Sequence, residues 1–335
     1  MLITLIATGT FSFFLTYLVR HFALQKSILD IPNDRSSHTI PTPRGGGLAV
    51  AISWFVGLVY FFLTGKIENT LFYALIAGIP LTLIGFADDV FSLKPIVRFL
   101  VQFICAALAL WFLGGLHAID YGPWTMDYNI WLLTPLALIA IIWAINFFNF
   151  LDGIDGYIGS EIVFIGLAAF SLTNDLVGLL LAAATFGFLL WNWPKAKIFM
   201  GDVGSTLLGF TVAVMAIYHQ NNNISSVWVW LILTSVFWFD ATVTLFRRFI
   251  NKEKLSEAHR KHAYQRAVQS GYSHQQVTVG SIVLNFIGFG FAWLAFHYSY
   301  YAIIFLIIDL AMLFMILRFI DKKKPFDYNK ILENN

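Results

Sequence analysis

Three aspartates have the positions expected of ligands for a divalent cation. Asp88 and Asp89 are adjacent at the end of an apolar run, and Asp202 directly precedes another one. Carboxylates at such places are costly unless water solvates them or a cation neutralises them, and Mg²⁺ prefers oxygen ligands. One member of the pair could also act as a general base, with a pKa set by its neighbour. Solvated or helix-capping carboxylates are the structural alternative.

A second polar group surrounds Asp152. Asn146, Asn149 and Asp152 are spaced by three, so a helix end would place them on one face. Asp155 follows, and a glycine comes after each of the two aspartates. Such amide and carboxylate groups could hydrogen-bond the edge of a nucleobase or a sugar. A purely structural Asx turn is the alternative.

Basic residues that could bind phosphate lie near both ends of the chain. His38 and Arg44 lie in a proline-rich segment that ends in three glycines, where backbone can approach a ligand closely. A rigid connector is the alternative for this segment. Near the other end, His259, His262 and Arg266 have the spacing i, i+3, i+7.

The second basic group is predicted to lie on a helix. Ser256 is the predicted N-cap and Gly271 the predicted stop, so the two histidines and Arg266 would share one face. That face would suit phosphate, whereas a Zn²⁺ site lacks an acidic third ligand at a suitable local spacing. A basic amphipathic helix lying on anionic lipid is the alternative.

The elements that must position these residues are membrane helices. The chain is 59% hydrophobic and 12% charged, with a mean hydropathy of +0.73, and its one cysteine, Cys105, lies in an apolar run. Soluble domains carry about 25% charged residues. We predict an all-α, polytopic integral membrane protein with about 11 transmembrane helices. The predicted spans are 2–19, 47–64, 70–87, 96–114, 130–149, 157–173, 175–192, 204–218, 226–246, 277–297 and 300–319.

The distribution of basic residues predicts the orientation. With the N-terminus outside, 20 of the 21 Lys and Arg residues fall on the inside, and Lys66 is the exception. The C-terminus is then cytoplasmic. We predict one membrane-embedded domain, 1–335, whose site is formed by cytoplasmic loops at about 20–46, 87–95, 149–157, 192–204 and 247–276. A transporter would place its polar groups nearer the bilayer midplane.

Together these motifs resemble the polyprenyl-phosphate N-acetylhexosamine-1-phosphate transferase family, called glycosyltransferase family 4 in older usage. The resemblance covers residues 33–266 in family order. It rests on Ser36-Ser37-His38 with Pro41-Thr42-Pro43-Arg44-Gly45-Gly46-Gly47, Asp88-Asp89, Asn146-x-x-Asn149-x-x-Asp152-Gly-x-Asp155-Gly, Asn192 ten residues before Asp202, and the His-rich segment 259–266.

The resemblance implies a reaction at a bacterial inner membrane, with the site facing the cytoplasm. UDP-N-acetylhexosamine and undecaprenyl phosphate would give UMP and a lipid-linked diphosphate sugar. Mg²⁺, or Mn²⁺ in its place, would bind Asp202, Asp88 and Asp89, with Asp88 also acting as the base or orienting the lipid phosphate. Direct attack of the lipid phosphate is favoured over a phospho-aspartate, because that phosphate is already a nucleophile.

The resemblance also implies roles for the remaining motif residues. His259 and His262 would be catalytic groups facing the diphosphate. The implied substrate-binding residues are His38, Arg44, Asn146, Asn149, Asp152, Asp155, Asn192, Arg260 and Arg266. Family members are often homodimers, and membrane lipid is expected as a partner but nucleic acid is not.

The departures from the family pattern concern the sugar. The His-rich segment lacks the His-His-His run of the murein-precursor branch and is more similar to enzymes that start O-antigen or capsule chains. These use GlcNAc or a 6-deoxy amino sugar, and their product serves polysaccharide or lipopolysaccharide synthesis. Phospho-MurNAc-pentapeptide transfer and lipid-linked sugar transport stay open as alternatives. A CDP-alcohol phosphatidyltransferase signature is not found.

Overall fold

Helices make up most of the chain in a computed structural model. The structure describes residues 1–32, 40–91, 93–121, 124–126, 132–255, 257 and 259–326. The helices of this part are α1 (Leu2–Gln25), α2 (Gly47–Leu63), α3 (Asn69–Ile76), α4 (Ile79–Phe91), α5 (Pro95–Leu113), α6 (Leu133–Phe150), α7 (Tyr157–Thr173), α8 (Leu176–Asn192), α9 (Asp202–Asn221), α10 (Val227–Leu233), α11 (Ser235–Ile250), α12 (Ala263–Gln269), α13 (His274–His297) and α14 (Ala302–Lys323), with a 3₁₀ turn at Ser299–Tyr301.

Two short antiparallel strand pairs complete the described part. Strands β1 (Leu29–Asp30) and β2 (Thr42–Pro43) pair in the segment before α2. Strands β3 (Ile119–Tyr121) and β4 (Trp124–Met126) pair between α5 and α6. Apart from these pairs, backbone polar groups are bonded mainly within helices, as a chain in hydrocarbon requires.

The apolar helices confirm the predicted class. In the described residues, seven helical segments are long and apolar enough to cross a membrane, α3 and α4 counting as one, and the bent pair α10–α11 makes eight if it is one span. Helices α2, α7 and α8 are apolar but have 17 residues each. Each of the eleven predicted spans overlaps one of these helices or helix pairs. The count of eleven and the orientation of the termini stay predictions.

Helix α9 is the central helix, and small residues bring its neighbours close. A Cβ on Gly47, at the start of α2, would collide with the backbone of Gly204 on α9. A Cβ on Gly85 of α4 would lie 2.8 Å from the backbone of Val203. Small residues allow close backbone approach where helices pack in membranes. This packing brings the N-termini of α2 and α9 and the C-terminal part of α4 to one place.

Two predicted helices differ from the structure. The ninth predicted span is broken at Thr234, where α10 and α11 meet with a bend of 79°. The predicted helix starting at Ser256 is wrong in its extent, because α12 begins at Ala263 and His262 is its N-cap. Ser256 itself lies outside the described residues. Arg266 is therefore the only one of the three phosphate-binding candidates that is helical, and the shared helical face does not form.

We expect Gly47→Ala to lower the thermal stability of the detergent-purified protein. The added methyl group meets backbone atoms of Gly204 and Met200 that cannot rotate away, and overpacking of this kind costs about 1–3 kcal/mol. Gly290→Ala on α13 is the matched control, since its Cβ meets no atom within 4 Å. Equal melting temperatures for the two variants would contradict close packing of α2 on α9.

Candidate active site

Three carboxylates and two guanidinium groups form one ion network at these helix ends. Arg44 Nε lies 3.1 Å from Asp89 Oδ1, and Arg44 Nη2 lies 3.0 Å from Asp202 Oδ1. Arg98 Nη1 lies 2.7 Å from Asp88 Oδ2 and 3.2 Å from Asp202 Oδ2. Asp202 is therefore shared by both arginines. The structure brings together Asp88, Asp89, Asp202 and Arg44, which are four of the predicted site residues.

The backbone of the loop before α9 holds this network in place. Gly201 has φ +76°, and a Cβ there would lie 2.6 Å from Asp89 Oδ2. A side chain at this position is therefore excluded both by conformation and by space. Asp202 is the first residue of α9, and its backbone N–H donates to Asp89 Oδ1 at 3.3 Å. The positive end of the α9 dipole thus faces the carboxylates.

The fit of a divalent cation depends on Asp89 and Asp202. Asp89 Oδ2 is buried and has no hydrogen-bond partner among the described residues, so it offers an available ligand oxygen. The described residues contain no group of three His, Cys, Asp or Glu side chains placed to share one metal ion. The arginines stand between the three carboxylates that were predicted as common ligands. Mg²⁺ commonly binds one or two carboxylates plus substrate phosphates and water, and such a smaller set fits here.

Asp152 lies beside the network. It follows α6 and accepts a hydrogen bond from the backbone N–H of Gly201. Burial raises the pKa of Asp152 to about 7, Arg44 opposes the rise, and the nearby carboxylates of Asp202 and Asp89 add to it. Burial alone would lower the pKa of Arg44, but Asp89 and Asp202 outweigh it and the pKa is raised. Arg44 therefore stays charged, and Asp152 is a carboxyl group that can exchange a proton near neutral pH.

Asn146 and Asn149 lie at the end of α6, on the side of a cleft. Asn149 Nδ2 donates to Ser205 Oγ at 3.1 Å, and Asn146 Nδ2 donates to Gln102 Oε1 at 2.9 Å. The cleft has a volume of about 250 Å³ and lies between α4, α5, α6 and α9. Apolar residues form most of its walls, and its polar lining comes from Arg98, Gln102, Asn146, Asn149, Asp202 and Thr206.

Asp155 and Asn192 act within the protein as braces between loops. Asn192 Oδ1 accepts from Gly156 N at 2.9 Å, and Asn192 Nδ2 donates to Ile198 O at 2.9 Å. Asp155 Oδ2 accepts from Ala196 N at 3.1 Å, and Asp155 Oδ1 lies 3.2 Å from His274 Nδ1. These contacts fix the loop after α6 to the loop before α9. The substrate-binding role predicted for both residues stays a prediction, whereas their bracing contacts are part of the structure.

The His-rich segment is docked against the end of α6. The Tyr264 hydroxyl donates to Phe150 O at 3.1 Å, and a Cβ on Gly153 would collide with that hydroxyl. The His262 ring lies 6.3 Å from the Phe150 ring and 4.9 Å from the His259 ring. This contact brings His259 and His262 to the loop that carries Asp152.

Burial sets the charge of His259. Burial lowers its pKa to about 3, and electrostatic interactions with neighbouring groups, His262 and Arg248 among them, act in the same direction. His259 is therefore a neutral imidazole at physiological pH. A neutral ring can donate one hydrogen bond and accept another, but it adds no positive charge for a diphosphate.

Asp240 is the residue that positions this segment. Its carboxylate accepts from Ala263 N at 2.8 Å and from Tyr264 N at 3.2 Å, and it lies 3.5 Å from His262 Nδ1. Asp240, which lies on α11, thus caps the N-terminus of α12. Arg247, further along α11, bonds Asp321 through both terminal nitrogens at 2.9 Å.

Arg266 and Arg260 were predicted to face a diphosphate. Arg266 is 2% exposed, and its Nη1 lies 2.6 Å from Asp321 Oδ1 on α14. It therefore anchors α12 to α14 in this conformation. The backbone carbonyl of Arg260 accepts from Gln269 Nε2 at 2.8 Å. The guanidinium group of Arg260 interacts electrostatically with the Tyr264 hydroxyl. His38 lies outside the described residues.

Sequence reasoning missed Arg98, Gln102 and Tyr264. Arg98 was counted only as one of the inside basic residues. Arg98 and Gln102 are separated by one helical turn in an otherwise apolar helix, and this polar pair was the available signal. Tyr264 carried no signal, because its partner is a backbone carbonyl distant in sequence.

Fold and network define a polytopic membrane protein with an ionic centre beside an apolar cleft. The model of the family described as Glycosyl transferase family 4 matches residues 71–220. A probable undecaprenyl-phosphate N-acetylglucosaminyl 1-phosphate transferase of Bacillus subtilis is 28% identical, over 96% of this chain and 94% of that protein. An undecaprenyl-phosphate alpha-N-acetylglucosaminyl 1-phosphate transferase of Thermotoga maritima is 28% identical, over 83% and 86%. A decaprenyl-phosphate N-acetylglucosaminephosphotransferase of Mycobacterium tuberculosis is 29% identical, over 80% and 76%.

The matches confirm the resemblance drawn from the motifs. The matched family region contains Asp88, Asp89, Asp152 and Asp202, and the relatives align over most of both chains. The chain is thus similar in residues 71–220 to Glycosyl transferase family 4, and over most of its length to proteins named as polyprenyl-phosphate N-acetylglucosamine-1-phosphate transferases.

If Asn192 is a brace, Asn192→Ala should lower the thermal stability of the protein. The change leaves the buried Gly156 N–H and Ile198 carbonyl without this partner, and each such loss costs about 1–3 kcal/mol. Asn222→Ala is the control, since Asn222 makes one hydrogen bond to its own helix, to Tyr218 O. An unchanged melting temperature for Asn192→Ala, with loss of ligand binding, would favour the substrate-binding role instead.

Proposed function

We propose that this protein transfers N-acetylhexosamine 1-phosphate from a UDP-sugar to a polyprenyl phosphate and releases UMP. The observation that carries the proposal is the position of Arg98. This arginine contacts Asp88 and Asp202 and also lines the apolar cleft. One side chain therefore joins a binding surface for a lipid to an ionic centre for phosphate.

The cleft is the proposed site of the lipid acceptor. Its walls include Leu81, Ile84 and Phe99, which suit a polyprenyl chain, and Arg98 and Gln102 supply donors for the phosphate at its head. A guanidinium group binds phosphate oxygens in a fork that a lysine cannot provide. The acceptor phosphate would then lie next to Asp202.

The donor is proposed to bind on the other side of Asp202. Arg44 would bind the diphosphate, and the loop that carries Asp152 and Asn149 would contact the nucleotide or the sugar. Asp89 and Asp202 would hold Mg²⁺, for which Mn²⁺ is the expected substitute. When bound, the ion would neutralise charge on the diphosphate of the donor.

The proposed reaction is direct displacement. An oxygen of the lipid phosphate forms a bond to the β-phosphorus of the donor, and the bond from that phosphorus to the bridging oxygen breaks as UMP leaves. Arg44 and Arg98 neutralise the charge on the phosphates, and positioning with neutralisation is most of what phosphoryl transfer needs. Asp88 accepts from Leu93 N at 2.6 Å and from Arg98, so its proposed role is to orient Arg98.

The relatives' names favour N-acetylglucosamine as the sugar, because the three compared proteins are all named for it. A 6-deoxy amino sugar is the second donor to test. The proposed location is the plasma membrane of a bacterium with the site facing the cytoplasm, where the product would start a lipid-linked glycan.

Asp202→Asn should greatly lower the rate of transfer. The amide keeps the size of the side chain but removes the charge shared by Arg44 and Arg98, and we expect kcat to fall by about 10²–10³-fold. The assay measures transfer of labelled sugar into the lipid phase with UDP-GlcNAc, undecaprenyl phosphate and Mg²⁺. UDP-GalNAc and UDP-linked 6-deoxy amino sugars form the rest of the donor panel.

The control for this assay is Glu68→Gln, which removes an exposed carboxylate between α2 and α3. Full activity of Asp202→Asn would refute the proposed centre. A folded wild-type protein that transfers no sugar from any donor and shows no UMP exchange would refute the enzyme proposal itself.

Arg98→Lys should weaken use of the lipid more than use of the nucleotide. Lysine keeps the charge but loses the planar guanidinium, whose Nη1 contacts both aspartates and whose remaining N–H groups could bind phosphate in a fork, so we expect KM for undecaprenyl phosphate to rise about tenfold or more. KM for the UDP-sugar should change by less than that. Arg318→Lys, at an exposed position of α14, is the matched control. A selective rise in the KM of the UDP-sugar would place Arg98 at the donor instead.

A further inference from the structure

A second cavity lies away from the carboxylate network. It has a volume of about 310 Å³ and shares no lining residue with the first cleft. We call it the α13–α14 groove. Its floor comes from α11 and α12, and its walls come from α13 and α14 through residues such as Leu284 and Leu313. Gly280, Ile316 and Phe319 line it and are exposed, so the groove is open on its outer side.

The groove begins at the end of the membrane helices where α12 lies and runs along α13 and α14. On α14 its lining extends from Leu313 to Ile320, which corresponds to about 10 Å of helix rise. Half of a bilayer's hydrocarbon core is about 15 Å thick. The groove therefore has the direction and depth of the upper part of one lipid acyl chain.

A positive charge is fixed at the mouth of the groove. Lys323 Nζ donates to the Tyr272 hydroxyl at 2.7 Å and lies 4.8 Å from the Tyr272 ring centroid and 5.1 Å from that of Phe319. Tyr272 and Phe319 both line the groove. Lys322 and Lys324 flank Lys323 in the chain. Charge complementarity at this rim thus favours an anionic headgroup over a zwitterionic one.

We propose that the α13–α14 groove binds one acyl chain of an anionic phospholipid, with the headgroup phosphate at Lys323. The floor includes Asp240, Ala263 and Tyr264. These residues form the start of α12, and Tyr264 also bonds the end of α6. The bound chain thus packs against the element that holds the His-rich segment. The proposal does not depend on the sugar or on the reaction.

Two glycines on one helix allow a matched test. Neither Gly280 nor Gly290 of α13 has an atom within 4 Å of its ideal Cβ, so the first side-chain atom of a leucine meets no backbone at either position. Only Gly280 lines the groove. Native mass spectrometry of the detergent-purified full chain would compare retention of phosphatidylglycerol and phosphatidylcholine with identical acyl chains.

We expect the wild type and Gly290→Leu to retain one phosphatidylglycerol and Gly280→Leu to retain none. Lys323→Gln should lower the preference for phosphatidylglycerol over phosphatidylcholine by about fivefold, since a basic residue near anionic lipid contributes about 1 kcal/mol. Lys323 is exposed, so this variant carries the test if Gly280→Leu does not fold.

Equal retention of phosphatidylglycerol by Gly280→Leu and Gly290→Leu would overturn the proposal, as would an unchanged lipid preference in Lys323→Gln. Undecaprenyl phosphate is the competing occupant. If it displaces phosphatidylglycerol from the wild type, and if Gly280→Leu raises its KM in transfer, the groove belongs to the polyprenyl chain and the phospholipid assignment is wrong.

Discussion

Charge compensation among Arg44, Arg98 and three aspartates is the interaction on which the site depends. The side chains of Asp88, Asp89 and Asp202 are between 5% and 14% exposed, so water solvates them only in part. Removing one partner from such a network leaves an uncompensated charge in a medium of low dielectric constant. The five side chains must therefore be positioned together, and every nearby element contributes to that positioning.

The helices meet this demand through close packing. Glycines at the start of α2 and on α4 allow α9 to approach until Arg44, Asp89 and Asp202 are within hydrogen-bond distance. Next to the ion network, Asn192 and Asp155 accept hydrogen bonds from backbone N–H groups and so hold the loop after α6 against the loop before α9. Residues without charged side chains, such as these glycines and Asn192, thus help to determine the geometry of the ion network.

Sequence alone predicted the helical membrane class, the segments that form helices and most members of the centre. These features depend on composition, on run length and on acidic or amide residues at helix ends, all of which are local. It did not predict Arg98 as a partner of Asp88 and Asp202, because that contact depends on how α5 packs against α4 and α9. It also placed His259 on a helix, because the i, i+3, i+7 spacing ignored that Asp240, on another helix, fixes where α12 begins.

The contacts of Asp321 have a consequence for the order in which the site is assembled. This carboxylate on α14 binds Arg247 at the end of α11 and Arg266 on α12. Synthesis proceeds from the N-terminus, so both arginines enter the protein before their shared counter-ion exists. The His-rich segment lies between them; Asp240 can already cap α12, but Arg266 gains its carboxylate partner only after α14 has been made. A nascent chain that stops before Asp321 would carry all the motifs described above, while Arg247 and Arg266 still lacked the carboxylate that joins them.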